Sequence, residues 1–198
     1  MSLDANACWL AALPTAFTFA QARELGTPIR SLYALRDAGL IVALGRGLYS
    51  RADAEPADLT LLAAAVRAPR ATLCLRSALV RHGLIDDIPM TYDLALPRGS
   101  RLPALKEPIS WHKFAPETFD LGREVLPLVA DISMGIYTAE RCLVDAFRLR
   151  RLEGPELGNE ALRRWLTRRG SEPARLLELA AHFPKAATPL RHSLEVLL

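Results

Sequence analysis

The sequence has few cysteines, few lysines and no long apolar run. Cys8, Cys74 and Cys142 are odd in number and show no CxxC or Cys/His spacing. We therefore expect reduced, buried thiols and neither disulfides nor a zinc site. The longest strongly apolar stretch, residues 59–66, is too short to cross a bilayer, and the first four residues lack the basic start of a signal peptide. These absences predict a cytoplasmic protein without a membrane partner.

Catalytic signatures are also missing. The sequence contains no P-loop, GxSxG, HExxH or dinucleotide-binding fingerprint. His82, Asp86, Asp87 and Asp93 come closest to a metal-ligand set, but their spacing matches no known ligand pattern. We interpret them as residues of turns and helix ends. The sequence therefore predicts a protein that is not an enzyme and that has no cofactor or metal.

Composition and charge indicate a globular protein with basic ends. Hydrophobic residues make up 51% and charged residues 24% of the 198 positions, which is ordinary for a folded chain. All but three of the 25 basic residues are arginine, and the net charge is +3. Residues 1–51 carry 5 basic and 3 acidic groups, and residues 141–198 carry 11 and 7. This distribution favours an anionic partner at one or both ends.

Patterning predicts two domains, at residues 1–52 and 53–198. Hydrophobic periodicity lapses at residues 50–56, where Pro56 opens a new helical run that reaches residue 67. The second domain mixes strand-like and helical segments and ends in a helical bundle. Its strand-like segments are 92–96, 109–114 and 132–137, and its helical segments are 73–82, 139–152, 156–169, 173–182 and 188–197. The predicted fold class is α+β.

A helix-turn-helix pattern lies near the N-terminus. Thr18 and Gln21 fit a capping box, so a helix should begin at Phe19, run to residue 25 and end at Gly26. Thr27 is a suitable N-cap and Pro28 a suitable first residue for a second helix over 28–38. Two short helices joined by a tight turn are typical of this DNA-binding motif.

The segments on either side of the helix pair complete a winged helix-turn-helix. Strand-like residues 40–44 and 48–51 flank the turn Gly45-Arg46-Gly47, which predicts a hairpin that serves as the wing. A supporting first helix over residues 3–13 should turn Trp9, Leu10 and Leu13 toward the core.

The second helix is the candidate reading helix. At 100° per residue, Ile29, Leu32 and Leu35 share one side and should pack inward. The opposite side carries small and hydrogen-bonding residues suited to the major groove, with Tyr33 on its flank: Thr27, Arg30, Ser31, Ala34 and Asp37.

Each of these side chains has an expected role at the DNA. We expect Arg30 to contact a guanine edge or a phosphate, and Thr27, Ser31 and Tyr33 to donate to phosphates. Ala34 allows close approach, and Arg46 at the wing tip should reach the backbone or the minor groove. The alternative is a winged helix that only binds proteins, with Arg30 and Arg46 as solvated charges. Asp37 favours that alternative, because phosphates repel a carboxylate.

The arginines of the C-terminal helices have two interpretations. In the first, they are solvated surface charges that interact favourably with the negative C-terminal ends of helix dipoles. In the second, they form a surface that binds an anion or a partner. The residues are Arg148, Arg150, Arg151, Arg163, Arg164, Arg168 and Arg169.

Four segments in order resemble the AbiEi-type antitoxins of abortive-infection, type IV toxin–antitoxin systems. The first is the N-terminal helix pair with its Gly-Arg-Gly-Leu-Tyr hairpin. The others are Ser-Ala-Leu-Val-Arg-His-Gly-Leu at 77–84 with Ile88-Pro89 after it, Ile-Tyr-Thr-Ala-Glu-Arg-Cys-Leu-Val-Asp at 136–145, and Leu-Arg-His-Ser-Leu-Glu-Val-Leu at 190–197. The resemblance spans nearly the whole chain.

The resemblance implies a repressor of its own operon. Such a protein binds inverted repeats in double-stranded DNA, as a monomer or weak dimer that acts cooperatively. It also counters a nucleotidyltransferase-like toxin of the AbiEii type, functionally and without a required stable contact. By position in the motif, the DNA-contact roles fall on Thr27, Arg30, Ser31, Tyr33, Ala34 and Arg46. Two alternatives remain: a stand-alone winged-helix regulator, and a protein-interaction module with no toxin partner.

Overall fold

The chain combines helices with two β-sheets, as the sequence predicts for an α+β protein. The computed structural model describes residues 3–45, 47–54, 58–105, 108–129 and 131–198, which form eleven helices and eight strands. Contacts divide the chain into two compact units. The first unit is Met1–Ala71 with Arg101–Glu107 and Leu126–Met134, and the second is Thr72–Ser100 with Pro108–Val125 and Gly135–Leu198. The first unit therefore extends beyond residue 52, whereas the two-domain division remains a prediction.

The first unit begins with three helices and a small sheet. The predicted bounds of the first helix, the helix pair and the two hairpin strands all agree with the observed bounds to within one residue. The elements are α1 (Leu3–Ala12), β1 (Ala16–Thr18), α2 (Phe19–Glu24), α3 (Ile29–Asp37), β2 (Ile41–Gly45), β3 (Leu48–Arg51) and α4 (Leu59–Arg67). Strand β1 was not predicted, because three residues are too few to show alternation.

The sheet of the first unit holds its helices in place. Its strand order is β1-β3-β2, and both pairs are antiparallel, with Phe17 of β1 opposite Tyr49 of β3. These two rings stack with centroids 5.9 Å apart. Leu32 and Leu35 of α3 are buried in the same cluster. Burying each such side chain contributes about 1.5–3 kcal/mol, so the hairpin and α3 share one core.

The first helix packs as predicted. Leu13 is buried in this cluster, while Trp9 and Leu10 are partly buried against it. The predicted core face of the first helix is therefore confirmed.

A five-stranded sheet has the order β6-β5-β4-β8-β7. Strand β4 is antiparallel to β5 and parallel to β8, and β5 is parallel to β6. The elements up to β8 are β4 (Thr72–Leu73), α5 (Leu75–Arg81), β5 (Tyr92–Pro97), β6 (Ile109–Phe114), α6 (Pro116–Phe119), β7 (Arg123–Val129) and β8 (Ile132–Tyr137). The predicted strands 109–114 and 132–137 are confirmed. Strand β7 was missed because it contains Pro127 in its interior, and a proline there cannot donate a hydrogen bond to a neighbouring strand. The strand lies at an edge of the sheet, where such a proline is tolerated.

Helices make up the rest of the second unit, in agreement with the predicted helical ending. They are α7 (Ala139–Arg148), α8 (Arg150–Glu153), α9 (Pro155–Leu166), α10 (Pro173–Ala181) and α11 (Pro184–Leu197). The helix predicted over 139–152 is interrupted at Leu149, which caps both α7 and α8. The last helix starts earlier than predicted, since Pro184 serves as its first residue. No helix among the described residues has both the length and the apolar composition that crossing a membrane requires.

Candidate nucleic-acid interface

Helix α2 begins and ends as its sequence predicts. The Thr18 hydroxyl accepts from the Gln21 backbone N–H at 3.2 Å, and the Gln21 side-chain oxygen accepts from the Thr18 N–H at 2.8 Å. This reciprocal pair is a capping box. Gly26 follows the helix with a φ of 81°, the left-handed conformation that favours glycine. The capping box and the left-handed conformation of Gly26 thus define α2 and the start of the turn that follows it.

The second half of the turn differs from the prediction at Thr27. Its backbone N–H donates to the Ala22 carbonyl at 2.9 Å, while the Gly26 N–H donates to the Arg23 carbonyl at 2.9 Å. These two bonds form a Schellman motif that draws Thr27 onto α2, leaving its side chain 3% exposed. Pro28 is the N-cap of α3 instead, without a side-chain cap. The predicted N-cap role and outward position of Thr27 are therefore wrong.

The buried face of α3 is rotated by about one residue from the predicted face. Leu32 and Leu35 are buried as predicted, but Ser31 is buried with them at 5% exposure. Ile29, which was expected to pack inward, is 45% exposed. A serine beside core leucines places its small side chain in the interior at little steric cost, and the polar residue type hid this position. Ser31 is thus not available to donate to a phosphate.

Four of the predicted residues remain on the outer face of α3. Arg30 and Asp37 are exposed, Tyr33 is 44% exposed and Ala34 is half-buried. Arg36 lies on the same face, and its Nη2 is 2.8 Å from the Asp37 carboxylate. This hydrogen bond and the negative charge of Asp37 raise the pKa of the Arg36 guanidinium. Sequence reasoning did not single out Arg36, although its position three residues after Tyr33 places it on the same face.

Arg36 also packs over an aromatic ring. Its guanidinium carbon lies 5.0 Å from the centroid of the Tyr33 ring, a cation–π distance. Tyr33, Arg36 and Asp37 therefore form a connected polar group near the C-terminal end of α3. Arg30, one helical turn before Tyr33, has no ion pair within the described ranges.

The β2–β3 hairpin follows α3 directly. Gly47 has a φ of 67°, and its carbonyl accepts from the Phe19 backbone N–H at 2.9 Å, which ties the turn to the start of α2. Val42 on the first strand is 50% exposed. Arg46, predicted to reach DNA from the tip, lies outside the described residues.

The outer face of α3 suits contact with a polyanion. Arg30 offers a forked set of donors that matches a guanine edge or a phosphate, and Ala34 leaves room for close approach. The opposing feature is Asp37, which holds Arg36 and carries the charge that phosphates repel. In chemical terms this face is weakly cationic, with one free arginine and one paired arginine.

The rejected metal-ligand set is engaged in separate contacts in the second unit. Asp86 pairs with Arg164 at 2.6 Å, Asp87 with Arg76 at 2.5 Å, and Asp93 with His112 at 2.9 Å. His82 Nε2 lies 2.7 Å from the Tyr137 carbonyl oxygen. Across the described parts of the chain, no three His, Cys, Asp or Glu side chains are grouped so that they could hold a metal ion.

The cysteines are unpaired, and one of them departs from the prediction. Cys74 and Cys142 are buried free thiols, and burial raises the pKa of each. Cys8 is exposed, so the expectation that all three are buried is wrong at this position. The two buried thiols behave as small apolar side chains.

A buried ionic cluster in α7 was not predicted. Arg141 and Asp145 are fully buried, and Arg141 Nε donates to Asp145 at 3.0 Å. Arg148 Nη2 approaches the other carboxylate oxygen at 2.8 Å. The Arg141 guanidinium also donates to the carbonyls of Thr118 and Leu121. The spacing of 141, 145 and 148 is the sequence signal for such a cluster, but it gives no sign of burial.

Comparison with known proteins supports a fold and no more. No protein-family model and no curated protein matches the chain. Three chains of known structure match it, and one of them is the crystal structure of the RV2827C protein from Mycobacterium tuberculosis. It is 19% identical with a TM-score of 0.52, and the similarity covers 96% of this chain and 79% of that one. This similarity indicates a shared fold and does not extend to function.

Proposed function

We propose that this chain is a sequence-specific double-stranded DNA-binding protein whose residues 1–52 form a winged helix. The proposal rests on the outer face of α3, where exposed Arg30 and Tyr33 flank the half-buried Ala34. This helix follows α2 after four linking residues, a separation typical of a helix-turn-helix. In this proposal α3 enters the major groove and the β2–β3 hairpin is the wing.

Recognition in this proposal uses Arg30 first. It lies in the N-terminal half of α3, the part of a reading helix that contacts base edges. Tyr33 donates to a phosphate, and Ala34 permits the helix to approach the groove. Thr27 and Ser31 serve the core instead, which leaves fewer donors than the sequence suggested.

The biological role that we propose is that of a cytoplasmic antitoxin and autorepressor. It rests on the resemblance to AbiEi-type antitoxins. The chain binds inverted repeats in its own promoter, cooperatively as a monomer or weak dimer. It counteracts a nucleotidyltransferase-like toxin of the AbiEii type without needing a stable contact. A stand-alone regulator has the same DNA-binding surface but no toxin partner.

One observation favours a second candidate function, that of a protein-interaction module. Ile29 and Val42 are 45% and 50% exposed on α3 and β2. Exposed branched apolar side chains are typical of protein contacts when they are contiguous. In that case the arginines of this surface are solvated charges.

The test is a DNA titration of the full-length protein. The DNA upstream of its own gene is compared with a scrambled sequence at two salt concentrations. We expect selective, salt-sensitive binding that Arg30→Ala weakens by about 5- to 150-fold if the arginine reads a base. The matched control is Arg175→Ala, which removes an exposed arginine from α10 and should leave binding unchanged. Equal binding to both sequences contradicts the proposal.

The antitoxin role has its own test. A neighbouring nucleotidyltransferase-like gene is expressed with and without this chain, and growth is followed. Rescue of growth supports the antitoxin, including in the Arg30→Ala variant, where repression is lost but neutralisation persists. Selective DNA binding without rescue favours the stand-alone regulator. A protein partner captured by a chain that does not shift DNA favours the interaction module.

A further inference from the structure

A cationic cavity lies in the second unit, where α7 ends and α8 and α11 begin. Its volume is about 460 Å³, within the range of small-molecule pockets. We call it the α8 pocket. Its lining combines four cationic side chains with two leucines: Arg148, Leu149, Arg150, Arg151, Leu152 and Lys185.

The local chain path concentrates these cations. Leu149 ends α7 and starts α8, so that Arg148 and Arg151 come from consecutive helical turns. Gly154, with a φ of 87°, then links α8 to α9. Lys185 reaches the pocket from the first turn of α11, a 14-residue helix whose N-terminus has no side-chain cap. An uncapped N-terminus adds partial positive charge to the pocket.

The positive charge of the pocket is only partly neutralised, since Arg148 alone of its four cations pairs with an acidic side chain among the described residues. Asp145 is shared between Arg141 and Arg148, so these three side chains together keep a net positive charge. Glu153, at the end of α8, lies 3.3 Å from Arg76 instead of the pocket. Over the ranges that the structure describes, no ion pair joins Arg150, Arg151 or Lys185 to an acidic side chain. Four cations around one cavity repel one another, and an anion relieves that repulsion.

The innermost cation is held in place before any ligand arrives. Arg148 is 18% exposed in its side chain, and its guanidinium carbon lies 4.6 Å from the centroid of the Phe114 ring and 5.5 Å from that of Phe183. These aromatic contacts and the Asp145 carboxylate fix its orientation. A cation fixed in this way binds an anion with less loss of side-chain entropy than a free surface arginine does.

We propose that the α8 pocket binds the di- or triphosphate group of a small molecule. One phosphate group carries about −1.5 to −2 charges, so four cations match two or more adjacent phosphates. Leu149 and the 81% exposed Leu152 supply apolar surface beside the charges, as a nucleoside attached to the phosphates requires. The shared chemistry is the polyphosphate group, whether it is free or part of a nucleotide. This site does not depend on DNA binding by the first unit.

The test is calorimetric titration of the full-length protein with ATP, inorganic triphosphate and adenosine. We expect both phosphate-bearing probes to bind and adenosine not to bind. Tighter binding of ATP identifies a nucleotide, and equal binding of triphosphate identifies the polyphosphate group alone. Lys185→Ala and Arg151→Ala, both at exposed positions, should each weaken binding about three- to tenfold.

Two further variants separate this site from other cationic surfaces. Arg191→Ala removes an exposed arginine of α11 outside the pocket, and Arg30→Ala alters the proposed DNA face. Both should bind ATP like the unmodified protein. The proposal is overturned if neither phosphate probe binds at about 1 mM. It is equally overturned if Lys185→Ala and Arg151→Ala bind ATP as tightly as Arg191→Ala does. A third contrary outcome is that only nucleic acid binds the protein and that both pocket variants weaken nucleic-acid binding.

Discussion

The substitution Asp37→Asn should strengthen DNA binding. Asp37 lies on the outer face of α3 with its side chain 66% exposed, and it holds Arg36 at 2.8 Å. On the proposed DNA face its carboxylate faces phosphates within about one Debye length, which at ordinary salt is about 8–10 Å. Asparagine keeps the size of the side chain and removes the charge. The change therefore removes a repulsion and frees the Arg36 guanidinium for a phosphate.

The size of the effect follows from counterion release. Each phosphate contact changes log K against log salt with a slope of about −0.9. When salt falls from about 200 mM to about 50 mM, one added contact by Arg36 should make the increase in affinity about 3.5 times larger than in the unmodified protein. Such an exposed ion pair contributes little to folding, so the variant should remain folded.

Fluorescence anisotropy with the upstream DNA measures this prediction. The salt slope of Asp37→Asn should be steeper by about one phosphate contact than that of the unmodified protein. Asp86→Asn is the matched control, since it removes another exposed carboxylate, 83% exposed, that pairs with Arg164 in the second unit. If Asp86→Asn tightens binding as much as Asp37→Asn, net charge alone is responsible. If Asp37→Asn leaves affinity and slope unchanged, the outer face of α3 is not the DNA surface.

Two stability predictions follow from the interior. Asp145→Ala leaves Arg141 and Arg148 as uncompensated cations. In urea denaturation it should lower the free energy of unfolding by about 3–5 kcal/mol. The control Glu172→Ala, at an exposed ion pair, should change that free energy by less than about 0.5 kcal/mol. A loss below about 1 kcal/mol for Asp145→Ala contradicts the view that this cluster is dehydrated. Thr27→Val removes a buried hydroxyl that has no hydrogen-bond partner among the described residues, so it should stabilise the protein by about 1 kcal/mol and leave DNA affinity unchanged. Weaker DNA binding would restore Thr27 as a contact residue.

The sequence predicts elements well where a local signal defines them. The capping box at Thr18 and the glycines at 26 and 39 set the ends of α2 and α3, because these features act within a few residues of their own position. The β2–β3 hairpin is likewise defined by its glycine turn and the apolar runs on either side. Such elements need no knowledge of the rest of the fold.

The predictions that fail depend on competing signals or on distant partners. Thr27 fits an N-cap pattern for α3, but its backbone N–H is part of the Schellman motif that ends α2. Ser31 is polar and yet buried, because the face of α3 that packs into the core is determined by how side-chain volumes fit and not by residue type alone. Strand β7 contains Pro127 in its interior, which its edge position tolerates, and the edge is a property of the whole sheet.

The buried cluster in α7 shows the same limit from the other direction. The spacing of Arg141 and Asp145 matches an ordinary exposed helix pair. Only the fold reveals that both side chains are fully buried and that two carbonyls accept from Arg141. A charged residue is therefore a poor guide to exposure when its partners come from distant parts of the chain.

The weak charge of the α3 face bears on how the proposed repressor reaches useful affinity. One copy offers Arg30 as a free cation and Arg36 as a cation already paired with Asp37. With so few phosphate contacts, one copy should bind DNA weakly and with a shallow salt slope. Inverted repeats solve this problem when two copies that contact each other occupy adjacent half-sites, since the pair then binds as one bivalent unit. Cooperative binding of the two copies also makes occupancy depend more steeply on protein concentration, which suits autorepression.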